Sequence, residues 1–195
     1  MDKNAISRKN FLELVAAASA ASALTACGSK RAGSSAATAS GEYADTITFS
    51  QGAEPRGLDP AYVDDGESAK VMVQIYENLL QYETDSCTVV PGLAELPEVS
   101  DDGLTYTFKL HEGIKFHDGT DCDAEAIKAC IDRQLEPNRT DDMPYASFNF
   151  GSQEDGTGVE SVEATDATTL VIKLRAASTP FLANIAMCMS SPIVA

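Results

Sequence analysis

The segment Asp101-Asp102-Gly103-Leu104-Thr105-Tyr106-Thr107-Phe108-Lys109-Leu110 carries the clearest structural signal in the chain. Leu104, Tyr106, Phe108 and Leu110 alternate with Thr105, Thr107 and Lys109, the period of a half-buried strand with one apolar face. The Asp-Asp-Gly ahead of it is a turn signal, since Asp bonds its own backbone and Gly tolerates left-handed angles. Glu112-Gly113 then turns the chain into Ile114-Lys115-Phe116, read as a second short strand, and His117-Asp118-Gly119 turns it again. Beyond, Asp123 stands as a helix N-cap, with Glu125 in the first turn where the helix dipole favours an anion. Ile127, Cys130, Ile131 and Leu135 recur at helical spacing, and Pro137-Asn138 ends the run. The switch of period from two to 3.6 predicts mixed α and β structure.

Further along, residues 138–158 are polar, with Gly151, Gly156 and Gly158, and read as a long surface connection. Val159 to Val162 is expected to pair with Leu170-Val171-Ile172-Lys173-Leu174 across a turn at Asp166-Ala167-Thr168. Thr179-Pro180 reads as the cap and first-turn proline of a last helix. Its apolar side is Phe181, Leu182, Ile185, Ala186 and Met189, and Pro192 ends it. In the other direction, Thr46 to Ser50 alternates as a short strand does. Gly52 to Pro60, with two prolines and two glycines, can continue neither strand nor helix and is a loop. Asp64, Asp65 and Ser68 are available as N-caps for a helix with Met72, Ile75, Leu79 and Tyr82 on its apolar stripe. Pro91-Gly92 breaks the chain again.

Acidic residues outnumber basic ones 30 to 14, a formal net charge of −16. That balance argues against nucleic acid as a partner, because phosphate needs a basic surface, and against docking on anionic lipid through a basic face. No apolar run reaches the roughly 18 residues of a membrane span. Residues 1–27 have the form of an export signal: Lys3, Arg8 and Lys9 precede an uncharged stretch from Leu14 to Ala26. It ends in Leu24-Thr25-Ala26-Cys27, which looks like a bacterial lipobox, so Cys27 is the expected site of lipid attachment. Ser7 to Leu12 resembles a twin-arginine signal with Lys9 where the second Arg would stand, which leaves the secretion route open. Residues 28–44, rich in Ser, Ala, Thr and Gly, form a flexible tether, and the folded domain occupies 45–195.

Cys87, Cys122, Cys130 and Cys188 allow three disulfide pairings, and free thiols are favoured, Cys130 on a helix's apolar face. No Cys/His cluster has ligand spacing, and His111 and His117 flank a turn as structural residues, so no metal site is expected. Nor is there a nucleophile elbow, a phosphate-binding glycine loop or a carboxylate pair, so no constellation supports an enzyme reading, and no cofactor is expected.

The order of these segments resembles the N-terminal part of the family 5 solute-binding proteins of ABC importers, the oligopeptide, dipeptide and nickel receptors. The resemblance runs over residues 45–195 on Pro55-Arg56-Gly57-Leu58-Asp59-Pro60, Ile75-Tyr76-Glu77-Asn78-Leu79-Leu80, Pro91-Gly92-Leu93-Ala94-Glu95, Val99 to Leu110 and Gly113 to Gly119. Thr179 to Met187 looks closest to dipeptide receptors, and Arg133-Gln134 and Pro144 to Ser147 also fit the peptide branch. It departs where Leu96-Pro97 follows Ala94-Glu95 in place of an aromatic, and where Ala126 removes the reciprocal half of a capping box.

The resemblance implies a periplasmic-binding-protein-like class II α/β fold, here its N-terminal lobe of mixed sheets and packed helices. It further implies two lobes closing on a ligand, with the loop after the first strand facing the cleft. Asp64 aligns with a ligand-touching position, with Asp65 and Gly66 beside it. Capping alone is the alternative role for the two aspartates. The implied function is an exported, lipid-anchored, monomeric receptor on the extracytoplasmic face of a bacterial membrane. It captures short peptides and delivers them to ABC permease subunits. The alternatives are a nickel or metal-chelate receptor of the same fold, and a surface interaction or signalling lipoprotein that no longer transports. Family members are more than twice as long, so the chain is expected to be cut in mid-domain, without the second lobe. Phe181, Leu182 and Ile185 are then expected to be exposed, leaving the isolated domain prone to aggregate.

Overall fold

Val159–Val162 pairs with Leu170–Leu174 as expected, and Leu170–Leu174 also pairs on its other side with the strand that follows Leu104. The computed structural model describes residues 46–189 and 193–195. Cys27, the export segment and the tether at 28–44 lie outside them, as does Pro192. The chain divides into two units, Met1–Thr48 and Phe49–Ala195, and every described helix and strand belongs to the second. Its elements are α1 (Gly66–Met72), β1 (Leu80–Tyr82), β2 (Val89–Pro91), β3 (Glu98–Val99), β4 (Thr105–Lys109), α2 (Ala124–Asp132), α3 (Ala146–Phe150), β5 (Val159–Asp166), β6 (Thr169–Leu174) and α4 (Phe181–Ala186).

Four strands form an antiparallel sheet in the order β3-β4-β6-β5. Tyr106 stands opposite Ile172 and Phe108 opposite Leu170, so the apolar residues of both central strands share one face. Phe108, Leu170, Ile172 and Leu174 are fully buried there. Removing side chains of that size from water contributes roughly 2 kcal/mol each. α2 lies on β5 and β6 and buries Ala124, Ile127, Cys130 and Ile131. Asp123 caps it as expected, its carboxylate accepting the Ala126 N–H at 2.9 Å.

A two-stranded ribbon, β1 with β2, sits beside the sheet and is too small to be stable alone. α4 packs on it. The Tyr82 hydroxyl donates to the Ala183 carbonyl at 2.7 Å. The buried Asn78 amide donates to the carbonyls of Ala186 (3.2 Å) and Met187 (2.9 Å), satisfying groups that a helix end leaves open. The Tyr106 and Phe181 rings, 4.8 Å apart and tilted by 58°, join α4 to the sheet. Gly92 is required where the ribbon doubles back, since a Cβ there would lie 2.5 Å from the Asn78 carbonyl oxygen.

Several expectations need correction. Thr46 to Ser50 forms no strand; Ile47 and Phe49 are exposed, and alternation without a pairing partner makes none. The helix expected to carry Met72, Ile75, Leu79 and Tyr82 ends at Met72. Tight turns follow, with Gln74 donating to Val71 and Ile75 to Met72, and ribbon pairing draws Leu80 to Tyr82 into β1. Helical spacing there is overridden by tertiary pairing. Ile114 to Phe116 makes only the single bridge Lys115–Asp121. The connection at 138–158 contains α3, which buries Ala146 and Phe150. α4 ends at Ala186, short of Met189, and Thr179 does not cap it, Pro180 holding that position without a side-chain bond. Phe181 and Ile185, expected to be exposed, are buried against the ribbon and Tyr106.

Cys87, Cys122, Cys130 and Cys188 are free thiols. Cys122 and Cys130 are buried, and burial pushes the Cys122 thiol up to about 11. The Cys130 thiol donates to the Val194 carbonyl at 3.1 Å.

Three turns are closed by aspartates. Asp102 accepts from the Ser100 hydroxyl and the Leu104 N–H, Asp118 from the Thr120 hydroxyl and N–H, and Asp166 from the Thr168 N–H and hydroxyl. These bonds, to the hydroxyl first for Asp102 and Asp118 and to the N–H first for Asp166, hold all three carboxyls below their ordinary range. Their contribution is present at neutral pH and is lost as pH falls through the folded-state values. The expected outcome is an acid limb of stability, read by urea unfolding from pH 7 to pH 2, that flattens in an Asp102→Asn, Asp118→Asn, Asp166→Asn variant. An unchanged acid limb would refute the assignment.

Candidate ligand-binding site

The loop leading into α1 is shaped by one hydroxyl. Ser68, fully buried, accepts the Arg56 N–H at 2.9 Å and the Gly57 N–H at 3.4 Å. The same hydroxyl donates to Asp65 at 2.7 Å, while the Ser68 N–H donates to the other Asp65 oxygen at 2.9 Å. Asp65 is therefore the N-cap of α1, with extended backbone angles of φ −106° and ψ 147°. The Ser68 N–H, then the Ser68 hydroxyl, hold its carboxyl below the ordinary range.

Asp64 does different work. Its exposed carboxylate meets the Arg56 guanidinium at 2.8 Å, with both side chains largely in solvent. Such a pair adds little to stability and leaves acceptor capacity on Asp64. Gly66 opens α1, and a Cβ built there meets nothing within 4 Å. Asp64, Asp65 and Gly66 thus form a continuous polar edge, one residue committed to capping and two facing open space.

Sequence reasoning missed what holds this edge in place. Asp59 receives both terminal nitrogens of Arg133, from the C-cap of α2, Nη1 reaching Oδ2 at 2.9 Å and Nη2 reaching Oδ1. It also accepts the Ala61 N–H at 3.1 Å. Burial raises the Asp59 carboxyl and the Arg133 and Ala61 bonds outweigh it, leaving it below its ordinary value. Pro60, Ala61 and Val63 are buried, and Ala61 joins Met143 and Ala146 in a small apolar cluster separate from the main core. The motif around Asp59 and Arg133 was visible in sequence, but nothing in it said that residues 74 apart would meet.

Two cavities lie away from this edge. One of about 810 Å³ is lined by Ile75, Tyr76, Phe116, His117 and Val194 among others. A second of about 360 Å³ lies between the ribbon and α4, lined by Met72, Tyr76, Tyr82 and Cys188. Neither is lined by Asp64, Asp65 or Gly66. His111 sits 3.8 Å from Glu95, and among the described residues no three metal-binding side chains gather.

Comparison with known proteins gives the family. The model for bacterial extracellular solute-binding proteins, family 5 Middle, matches residues 88–194, more than half of the chain. The dipeptide-binding protein of Escherichia coli is 32% identical over 161 residues, 76% of this chain and 29% of that protein. Heme-binding protein A of Haemophilus influenzae is 32% identical over 156 residues, 73% and 28% of the two chains. The glutathione-binding protein GsiB of Escherichia coli is 36% identical over 152 residues, 76% and 28%. Among solved structures, DppA from Helicobacter pylori in complex with the peptide STSA superposes with a TM-score of 0.62 at 28% identity, over 74% of this chain and 30% of that one. NikA from Brucella suis in complex with Fe(III)-EDTA gives 0.61 at 29%, over 75% and 27%. The chain spans less than a third of the length of each of these proteins. A mixed α/β body of the periplasmic-binding-protein type, with more than half its length on one family model, is what these likenesses share: the chain belongs to the family 5 bacterial extracellular solute-binding proteins.

Proposed function

We propose that this chain serves as the N-terminal lobe of an extracytoplasmic substrate receptor that captures short peptides and hands them to ABC permease subunits. The observation that carries the reading is the polar edge Asp64-Asp65-Gly66, standing in the open on a loop pinned at both ends. An exposed carboxylate that Arg56 engages through one oxygen, beside open backbone, suits the amine end of a peptide, and a rigid mount lowers the ordering cost of binding. The names of the dipeptide-binding relative and of the peptide-bound neighbour support the substrate class. In this reading the chain has no catalytic role, works as a monomer, and is held to the membrane by lipid on Cys27, with residues 28–44 as tether.

A metal-chelate receptor is the second reading, favoured by the likeness to NikA bound to Fe(III)-EDTA. One titration separates the two. The purified protein is melted with di- to pentapeptides, glutathione, heme and Fe(III)-EDTA in turn. A ligand at a hundred times its dissociation constant adds about 2.7 kcal/mol of stability. Stabilisation by peptides alone is expected, whereas a shift with Fe(III)-EDTA and none with peptides would select the second reading.

The two aspartates separate binding from folding. Asp64→Ala is expected to weaken peptide binding roughly tenfold, the loss of one charged hydrogen bond, with the melting temperature unchanged. Asp65→Ala is expected to lower the melting temperature by removing the α1 cap. The reverse pattern would assign ligand contact to Asp65 and leave Asp64 as surface. For the anchor, Cys27→Ser is expected to move the protein out of the bacterial membrane fraction, and continued fractionation with membranes would overturn lipid attachment at that residue.

A further inference from the structure

We propose that Arg133 is the positioning residue of the candidate ligand loop: its grip on Asp59 sets where Asp64, Asp65 and Gly66 stand. The inference builds on the reading of that loop as the ligand edge, and its test is chosen to stand apart from it.

The bonds inside the loop are local. Arg56 and Gly57 bond Ser68, Asp64 bonds Arg56, and Asp65 bonds Ser68. All of these partners lie on the loop or in the first turn of α1, so they shape the loop and would travel with it. Among the described residues, two contacts tie the loop to more distant parts of the chain. One is the fork of Arg133 on Asp59, and the other is the packing of Ala61 on Met143 and Ala146. Of these, only the fork has direction. A guanidinium that meets both carboxylate oxygens fixes the carboxylate's plane as well as its distance.

Arg133 is itself well mounted. It is the C-cap of α2, which buries four side chains and packs on β5 and β6. Asp59 passes the constraint on, because its carboxylate also accepts the Ala61 N–H while its carbonyl accepts the Tyr62 N–H at 3.1 Å. The turn that begins at Asp59 is thus locked to the guanidinium, and the buried Pro60, Ala61 and Val63 carry it to Asp64. Exposed ion pairs usually contribute little, but bidentate geometry with partial burial is the exception. Lysine, a point charge without a fork, does not substitute at such a site.

The experiment is a double-mutant cycle on the full chain, with Asp59→Asn, Arg133→Met, the two combined, and Arg133→Lys. Hydrogen exchange is followed for the amides of residues 56–68 and, in the same samples, for β4 and β6. Trypsin cleavage after the exposed Arg56 gives a second reading of loop opening. Each single variant is expected to raise loop exchange about tenfold, the loss of a charge-assisted bond. The double variant should add nothing further, Arg133→Lys should fail to restore protection, and β4 and β6 should stay as in the wild type. Loop exchange that does not change would overturn the proposal, as would an increase shared equally by β4 and β6, since that would make Arg133 a general stabiliser. If Arg133→Met does not fold, Asp59→Asn and Arg133→Lys decide the matter alone. Tri-alanine affinity is measured beside exchange. A wild type that does not bind tri-alanine counts against the peptide reading alone, and the exchange result still decides the role of Arg133.

Discussion

The antiparallel pairing of β4 with β6 is the constraint on which the rest of this structure depends. Thr105 to Lys109 meets Lys173 to Thr169 in unbroken register, and the backbone continues the ladder at both ends, with Leu110 donating to Thr168 and Leu174 to Leu104. The chain leaves the sheet after β4 and rejoins it at β5, on the far side of β6. In between, α2 lies back over β5 and β6, and its first turn is tied to the β5–β6 corner by the Ala124 N–H on the Ala167 carbonyl. That return also places Arg133 at the loop before α1. A one-residue slip of β6 would turn Leu170, Ile172 and Leu174 outward and displace α2 with them.

The candidate site depends on the same arrangement. A loop with two prolines and two glycines has little structure of its own, yet its far end is fixed by a guanidinium mounted on the sheet's covering helix. Rigid support under a polar edge is a general requirement for selective binding, because flexible contacts spend interaction energy on being ordered. Asp65 and Asp64 show how adjacent residues of one type divide the labour. One turns its carboxylate inward to close a helix, and the other leaves it beside an arginine in solvent.

What was legible in the sequence was local. The turn at Asp101 to Gly103, the strand after it, the cap at Asp123 and the hairpin through Asp166 to Thr168 each rest on neighbouring residues, and each formed. The failures have a common cause. Leu79 to Tyr82 has helical spacing with its upstream residues, but its partner is Val89 to Pro91 in a ribbon covered by α4. Thr46 to Ser50 alternates well and pairs with nothing described. Phe181 and Ile185 were apolar without a visible partner until the ribbon supplied one. At the site, the cap Asp65 could be read from its neighbours, whereas the fork between Asp59 and Arg133 depends on a path through the whole sheet.

Asn78 has a consequence for how the chain acquires its structure. Its amide reaches carbonyls 108 and 109 residues further on, and the ribbon it introduces is covered by the helix that ends there. Contacts at such separations make loop closure costly, so the rate of folding is set by topology more than by local propensity. During vectorial synthesis the ribbon emerges long before α4 does, with Leu80 uncovered and the Asn78 amide bonded to water in place of the Ala186 and Met187 carbonyls. The early ribbon thus completes its bonds and its cover only with residues made more than a hundred positions later.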